Sequence, residues 1–163
     1  GEGDLDAHHT LDGDPAAEAF ERAVSVTAGL ITGAAATGLN TRMVAPDVDY
    51  RGHDVAPVAL RWLATVQRTE GRDATLPSLK AGEGMGIVLV VTSSPGSEFA
   101  ATVRAGLGPD DTMIVVATRS TGGRRDRFVV DATSDGAFAD SWAQLTGSLA
   151  TGPRLPAAYR EPA

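Results

Sequence analysis

The sequence contains no cysteine, few aromatic residues and no long apolar run. The absence of cysteine excludes disulfide bonds, thiolate nucleophiles and cysteine-ligated zinc sites. Aromatic residues make up 5% of the chain, too few for a platform on which nucleic-acid bases stack. No segment approaches the ~20 consecutive apolar residues of a membrane helix, so we expect a soluble segment that makes no membrane contact itself.

Basic residues are also in deficit, with 14 Lys and Arg against 21 Asp and Glu and a net charge of −7. A negative chain repels phosphate backbones, so no nucleic-acid partner is expected. The remaining composition, 42% hydrophobic over 163 residues, is typical of one folded domain. We therefore predict a flexible N-terminal segment at 1–13, a single α/β domain at 14–150 and a flexible tail at 151–163.

The first half of the sequence predicts two amphipathic helices with short strands between them. Asp14 before Pro15 is typical of a helix start, and Gly38 is typical of a helix end. A strand is expected at 41–45, and 48–50 is expected to extend it or to pair with it. The positions predicted to face a core are Phe20, Val24, Ala28 and Ile31 in the first helix, and Val58, Trp62, Leu63 and Val66 in the second, which follows Asp54.

The second half predicts strands that alternate with helices. The apolar run at 87–91 indicates a strand buried on both faces of a parallel sheet. Ser94 before Pro95 predicts the start of a helix that ends at Gly106, and a second buried strand is expected at 113–117. A last helix carries Phe138, Trp142 and Leu145, and both tryptophans of the chain are expected in the core.

The connection at 120–126 is too short for the usual crossover between parallel strands. We therefore predict an antiparallel hairpin, with Gly122 and Gly123 in the turn and 128–130 as an edge strand. The predicted fold is an α/β fold in three layers, with an open, mostly parallel sheet and helices on both faces.

Two groups of residues have the chemistry of a site. One group precedes the first helix and mixes carboxylates with imidazoles, as divalent-metal sites do: Asp4, Asp6, His8, His9, Thr10, Asp12 and Asp14. These acidic residues also suit the positive end of a helix, and His8 and His9 suit a surface loop, so both interpretations stay open. The other group is basic and flanks the predicted hairpin turn: Arg119, Arg124, Arg125 and Arg127. It fits either an acidic partner or the protection of an edge strand.

Three further patterns are weak evidence for a binding or catalytic site. The glycines at 82–86 precede a strand instead of linking a strand to a helix, which does not favour a phosphate loop. Ser93 and Ser94 follow a buried strand, where α/β enzymes place reactive groups, but no Gly-x-Ser-x-Gly motif is present. His53 lies between Gly52 and Asp54 and suits a turn better than a catalytic triad.

Five segments of the sequence carry a family resemblance: 20–30 in the first helix, the strands at 42–45 and 87–91, and the C-terminal segments 128–130 and 140–145. In order and spacing they resemble the actinobacterial branch of the family called domain of unknown function 58, whose C-terminal part is like a von Willebrand factor A domain. The resemblance covers most of the chain and rests on pattern. It implies a sheet whose usual apolar first strand is truncated here, since the residues before Asp6 are polar.

The resemblance also implies where a divalent-metal site would lie. Asp6, His8 and Thr10 stand at the Asp-x-Ser-x-Ser positions, and only Asp6 keeps the motif residue. Thr75 stands for the distal threonine, and Ser93 falls where a second aspartate is usual. We therefore expect a degraded site with no resident cofactor and at most weak or adventitious divalent-metal binding.

Members of the family typically carry N-terminal membrane helices and are associated with MoxR-type ATPases. The resemblance therefore implies a non-catalytic protein-interaction module, the soluble cytoplasmic part of a membrane-anchored assembly factor that works with a MoxR-type ATPase. The alternative is a metal-dependent enzyme that uses the N-terminal aspartate and histidine cluster.

Overall fold

The computed structural model describes residues 13–68, 86–123 and 128–150. The elements, in chain order, are α1 (Pro15–Ala36), β1 (Arg42–Ala45), β2 (Val48–Arg51), α2 (Val55–Thr65), β3 (Ile87–Thr92), α3 (Glu98–Gly106), β4 (Thr112–Ala117), β5 (Val129–Asp131) and α4 (Asp135–Ala150). Contacts divide the chain into two compact units, Gly1–Pro77 and Ser78–Ala163. That the two units form a single domain stays a prediction.

Local chemistry sets both ends of α1. Asp14 is the N-cap, and its carboxylate accepts a hydrogen bond from the N–H of Ala16 at 3.0 Å. Pro15 occupies the first helical position, where its missing N–H costs nothing. Gly38 has a φ of +70°, and the N–H groups of Gly38 and Leu39 bond to carbonyls of the last turn. Both predicted ends of this helix are confirmed.

β1 and β2 form an antiparallel hairpin, so of the two alternatives expected for 48–50 the structure has pairing with the preceding strand, not extension of it. Ala45 lies opposite Val48, which leaves Pro46 and Asp47 as a two-residue turn. Asp47 has a φ of +68°, a left-handed conformation that aspartate tolerates better than most residues. The hairpin packs against α2.

The core of the first unit lies between α1, the hairpin and α2. Its buried residues are Ile31, Met43, Val55, Ala59 and Leu63, and Val24, Ala28 and Trp62 pack against them. The prediction that Val58 faces the core is wrong, because this side chain is 39% exposed. The buried side of α2 follows Val55, Ala59 and Leu63, which recur every four residues.

β3, β4 and β5 form a parallel sheet with β4 in the middle. Residues 114–117 of β4 are at most 3% exposed, so this strand is buried on both faces. The prediction of burial on both faces is wrong for β3, where Ile87 is 58% and Leu89 is 36% exposed. The reason is position, since β3 lies at an edge of the described sheet.

The predicted antiparallel hairpin between β4 and β5 is also wrong, because the two strands are parallel. Val115 lies beside Val129, and Ala117 lies beside Asp131. After β4 ends at Ala117, the chain needs to return only to the level of Val115 before β5 pairs with β4. The short connection between the two strands can span that distance. Gly122 and Gly123 lie in this connection with φ values of +67° and +70°.

The start of α3 differs from its prediction. Ser97 is the N-cap, and its hydroxyl oxygen accepts a hydrogen bond from the N–H of Ala100 at 3.1 Å. Ser94 instead accepts the N–H of Ser97 on its backbone carbonyl, in a turn that contains Pro95. The predicted end at Gly106 is confirmed.

α4 carries the aromatic residues predicted for the last helix. Leu145 is buried, and Trp142 is half-buried with its ring centroid 5.7 Å from that of Phe138. Trp62 is also half-buried, so neither of the two predicted core tryptophans is fully buried.

The described residues form a mixed α/β fold with a parallel three-stranded sheet and an antiparallel two-stranded hairpin. α3 packs against β3, and α4 packs against β5. Within residues 13–68, 86–123 and 128–150 we find no helix that combines the length and the apolarity needed to cross a bilayer.

Candidate functional site at the carboxyl edge of the sheet

The loops that follow β3 and β4 are held together at the carboxyl edge of the parallel sheet. The backbone carbonyl of Ser93 accepts hydrogen bonds from the N–H groups of Arg119 and Ser120, both at 3.0 Å. The hydroxyl of Ser120 in turn accepts the N–H of Gly122 at 3.1 Å. Open α/β sheets bind ligands in loops at this edge, so it is the candidate functional site.

Hydroxyl groups tie the ends of β3, β4 and α3 together below these loops. The hydroxyls of Thr92 and Ser97 share a hydrogen bond of 2.9 Å, and Ser97 also caps α3. Thr118 is 1% exposed, and its hydroxyl donates to the carbonyl of Thr92 at 3.3 Å. These hydroxyl groups therefore fix the backbone from which the exposed loops start.

A second polar group follows β5. The Asp131 Oδ1 atom accepts from both the N–H of Thr133 at 2.9 Å and its hydroxyl at 2.7 Å. The N–H of Asp131 donates to the hydroxyl of Ser141 in α4 at 2.9 Å. This carboxylate closes the turn between β5 and α4, and Ser141 attaches the strand to the helix.

Nucleophilic catalysis requires a hydroxyl whose proton is accepted by a base. Among the described residues, the hydroxyl of Thr133 donates to the carboxylate of Asp131, but the same carboxylate oxygen also accepts the backbone N–H of Thr133. The two hydrogen bonds therefore close a turn, and we assign the pair this structural role instead of a catalytic one. Ser93 is exposed, and the structure gives its carbonyl a clear role in joining the loops.

The predicted metal-site residues are mostly not described by the structure. Asp6, His8, Thr10 and Thr75 lie outside the described residues, and Ser93 lies at the carboxyl edge as expected for a residue directly after a strand. Within the described ranges, no group of three or more His, Asp or Glu side chains has an arrangement that could hold a metal ion.

Asp14, the last member of the N-terminal acidic cluster, has a structural role. Its Oδ2 atom lies 2.9 Å from Nη1 of Arg68, which follows α2, while Oδ1 caps α1. The hydrogen bond from Arg68 is the main cause that lowers the pKa of Asp14, and the N–H of Ala16 adds to it. The ion pair joins the start of α1 to the segment that follows α2.

Of the basic cluster, the structure describes Arg119, which is exposed directly after the buried Thr118. Arg124, Arg125 and Arg127 lie outside the described residues, as do 82–85 of the glycine-rich segment at 82–86. His53 is exposed in the turn between β2 and α2, in agreement with its interpretation as a turn residue.

Sequence reasoning missed a charged cluster on the hairpin. Asp49 accepts two hydrogen bonds of 2.9 Å from Nε and Nη2 of Arg42, and longer ones of 3.4 and 3.3 Å from Arg51. The hydrogen bonds from Arg42 are the main cause that lowers the pKa of Asp49 well below its usual range, and Arg51 contributes next. The sequence signal that could have revealed this cluster is the alternation of charged and apolar residues along the two short strands.

No protein-family model, no curated protein and no solved structure matches this chain.

Proposed function

We propose that the chain is a non-catalytic protein-interaction module that presents the loops of the carboxyl edge to a protein partner. One observation supports this most directly: the loops after β3 and β4 are joined through the Ser93 carbonyl, on a base of internally bonded hydroxyls. A surface held in this way loses little conformational entropy on binding, which favours recognition. Among the residues that the structure describes, Arg119 is an exposed charged residue of these loops.

We also propose the finer fold that the family resemblance implies, a von Willebrand factor A-like sheet in three layers. The burial of β4 on both faces supports a sheet that is covered on both sides. The metal site of such a domain is proposed to be degraded here, because Ser93 follows β3 where an aspartate ligand is usual. Serine offers a weaker ligand to a hard cation than a carboxylate does.

The same resemblance suggests the partner and the place of action. We propose a cytoplasmic module attached to a membrane-anchored parent protein, with a MoxR-type ATPase as the partner. Binding of a purified MoxR-type ATPase from the same organism, measured by biolayer interferometry, tests this directly.

The test compares two exposed arginines. Arg119→Glu reverses a charge at the carboxyl edge, and Arg61→Glu makes the same change on α2 as a matched control. We expect Arg119→Glu to weaken binding of the ATPase at least tenfold and Arg61→Glu to leave it within twofold, with both variants as stable as the parent chain. Equal binding by both variants would remove the Arg119 surface from the proposal, and absence of any binding would remove the partner.

A further inference from the structure

The backbone of β3 directs half of its hydrogen-bonding groups away from the sheet. The carbonyls of Gly86 and Thr92 accept the N–H groups of Thr112 and Thr118, so the even-numbered residues of β3 face β4. In a parallel ladder the backbone groups of alternate residues point to opposite sides. The N–H and C=O groups of the odd-numbered residues, Ile87, Leu89 and Val91, therefore point to the side of β3 on which the described sheet has no further strand.

Two of these odd-numbered residues also carry exposed apolar side chains. Ile87 is 58% and Leu89 is 36% exposed, and both lie on one face of the strand. The six residues of β3 include no proline and no charged side chain, the usual devices that prevent an edge strand from pairing with another chain. An added strand would satisfy the backbone groups and cover these side chains together.

We propose that two copies of this chain associate by antiparallel pairing of their β3 strands. The strand is self-complementary in one register that uses all its outward-facing residues: Leu89 lies opposite Leu89 of the second copy, and Ile87 lies opposite Val91. Every facing pair is then aliphatic, and no like charges face each other across the two-fold axis. This inference does not depend on the proposed function of the carboxyl edge.

The strength of the association follows from its size and from charge. A pairing of six residues from each copy covers less than the ~1,200 Å² of stable complexes, so we expect a weak dimer that depends on concentration. Each copy carries a net charge of −7, and salt screens the repulsion between them. Dimerisation through this apolar strand should therefore strengthen as salt is raised, whereas an interface held by ion pairs would weaken.

A cysteine cross-link tests the register, because the chain has no cysteine of its own. Leu89→Cys places the two sulfur-bearing residues opposite each other in a hydrogen-bonded pair, with Cα atoms about 5.5 Å apart, which a disulfide spans. Ile87→Cys is the matched control, because its two copies lie about 13 Å apart in this register. We expect Leu89→Cys to form a covalent dimer under mild oxidation and Ile87→Cys to remain monomeric.

The control is demanding, since Ile87 is the more exposed residue and random collisions would cross-link it faster. Faster cross-linking of Ile87→Cys than of Leu89→Cys would overturn the proposed register.

Sedimentation of the full chain tests the association itself. We expect the average mass to rise above 16.7 kDa with concentration and to rise further in salt. Ile87→Lys should weaken the dimer at least tenfold, and Leu39→Lys, at a residue that is 66% exposed after α1, should leave it within twofold. A constant mass of 16.7 kDa up to about 1 mM, or equal effects of the two lysines, would overturn the proposal.

Discussion

Replacement of Asp49 by Asn is expected to destabilise the β1–β2 hairpin and the core beneath it. Asp49 receives a two-pronged hydrogen bond from Arg42, with both distances 2.9 Å, and weaker bonds from Arg51. Arg42 and Arg51 lie directly opposite in the strand register, so the carboxylate also separates two like charges. The side chain of Asp49 is 25% exposed, which reduces the effect by screening. We expect a loss of about 1–2 kcal/mol in the free energy of unfolding.

The pH dependence of this loss has a defined sign. The pKa of Asp49 is lowered in the folded chain, so its contribution is complete above the unfolded value of 3.8 and is lost as the pH falls through the lower folded pKa. The difference between the parent chain and Asp49→Asn should be constant from pH 5 to 8 and shrink below about pH 4.

Urea unfolding can be followed in each unit separately, because the chain has two tryptophans, Trp62 in the first unit and Trp142 in the second. Trp142→Phe leaves Trp62 as the reporter, and Trp62→Phe leaves Trp142. We expect Asp49→Asn to lower the urea midpoint reported by Trp62. If Trp142 reports the same shift, the two units unfold as one domain, as the sequence analysis predicts.

The matched control is Asp47→Asn, the same chemical change in the hairpin turn. Asp47 has a left-handed φ of +68°, which asparagine also adopts readily, and its side chain is exposed. This variant should stay within about 0.5 kcal/mol of the parent chain. Equal losses for the two variants, or a loss at Asp49 that persists unchanged at pH 3, would refute the argument that Arg42 and Arg51 stabilise the ionised carboxylate.

Three other outcomes are expected. Thr118→Val keeps the shape of a buried side chain but removes its hydrogen bond to Thr92. We expect the free energy of unfolding in urea to fall by about 1 kcal/mol, and no loss would show that the bond is not needed for stability. Trp142→Ala should lower the free energy of unfolding by about 2–3 kcal/mol, less than the ~3–5 kcal/mol expected for a fully buried tryptophan, because Trp142 is half-buried and stacks on Phe138. An unchanged urea midpoint would contradict this packing. Calorimetry should show no tight, stoichiometric Mg²⁺ or Ca²⁺ binding, since the predicted site keeps only Asp6 of its motif carboxylates; tight binding with turnover would favour the metal-dependent enzyme.

Features that depend on neighbours in the sequence were predictable. The N-cap at Asp14 and the left-handed residue at Gly38 are both confirmed, because each acts on backbone groups within one turn of its own position. The start of α3 shows the limit of this reasoning. Serine is a common N-cap residue, so both Ser94 and Ser97 are candidates from the sequence, and in the structure the turn that contains Pro95 leaves Ser97 as the N-cap.

Features that depend on distant neighbours were less predictable. The aliphatic run of β3 has the composition of a doubly buried strand, but burial also depends on position in the sheet, where β4 is central and β3 lies at an edge of the described strands. The direction of β5 was predicted from the length of its connection alone. A return along the whole of β4 would need a longer connection, whereas Val129 needs only to reach Val115.

The candidate site was predictable in location and not in chemistry. Ser93 was placed at the end of a strand, which the structure confirms, but the role of its carbonyl as acceptor for two N–H groups of the next loop is a tertiary contact. The arginine pair on Asp49 was missed for the same reason. Arg42 and Asp49 are seven positions apart, and only the register of the hairpin brings them within 2.9 Å.

The two proposed surfaces of the second unit are compatible with each other. The carboxyl edge is formed by the loops after β3 and β4, whereas dimer formation uses the outward backbone groups of Ile87, Leu89 and Val91 along the side of β3. Antiparallel pairing places the carboxyl edges of two copies at opposite ends of the joined sheet, because each β3 runs against the other. Each copy would keep its Arg119 surface open to a partner, so we expect two partner molecules per dimer. Partner binding that dissociates the dimer would show instead that the two surfaces overlap.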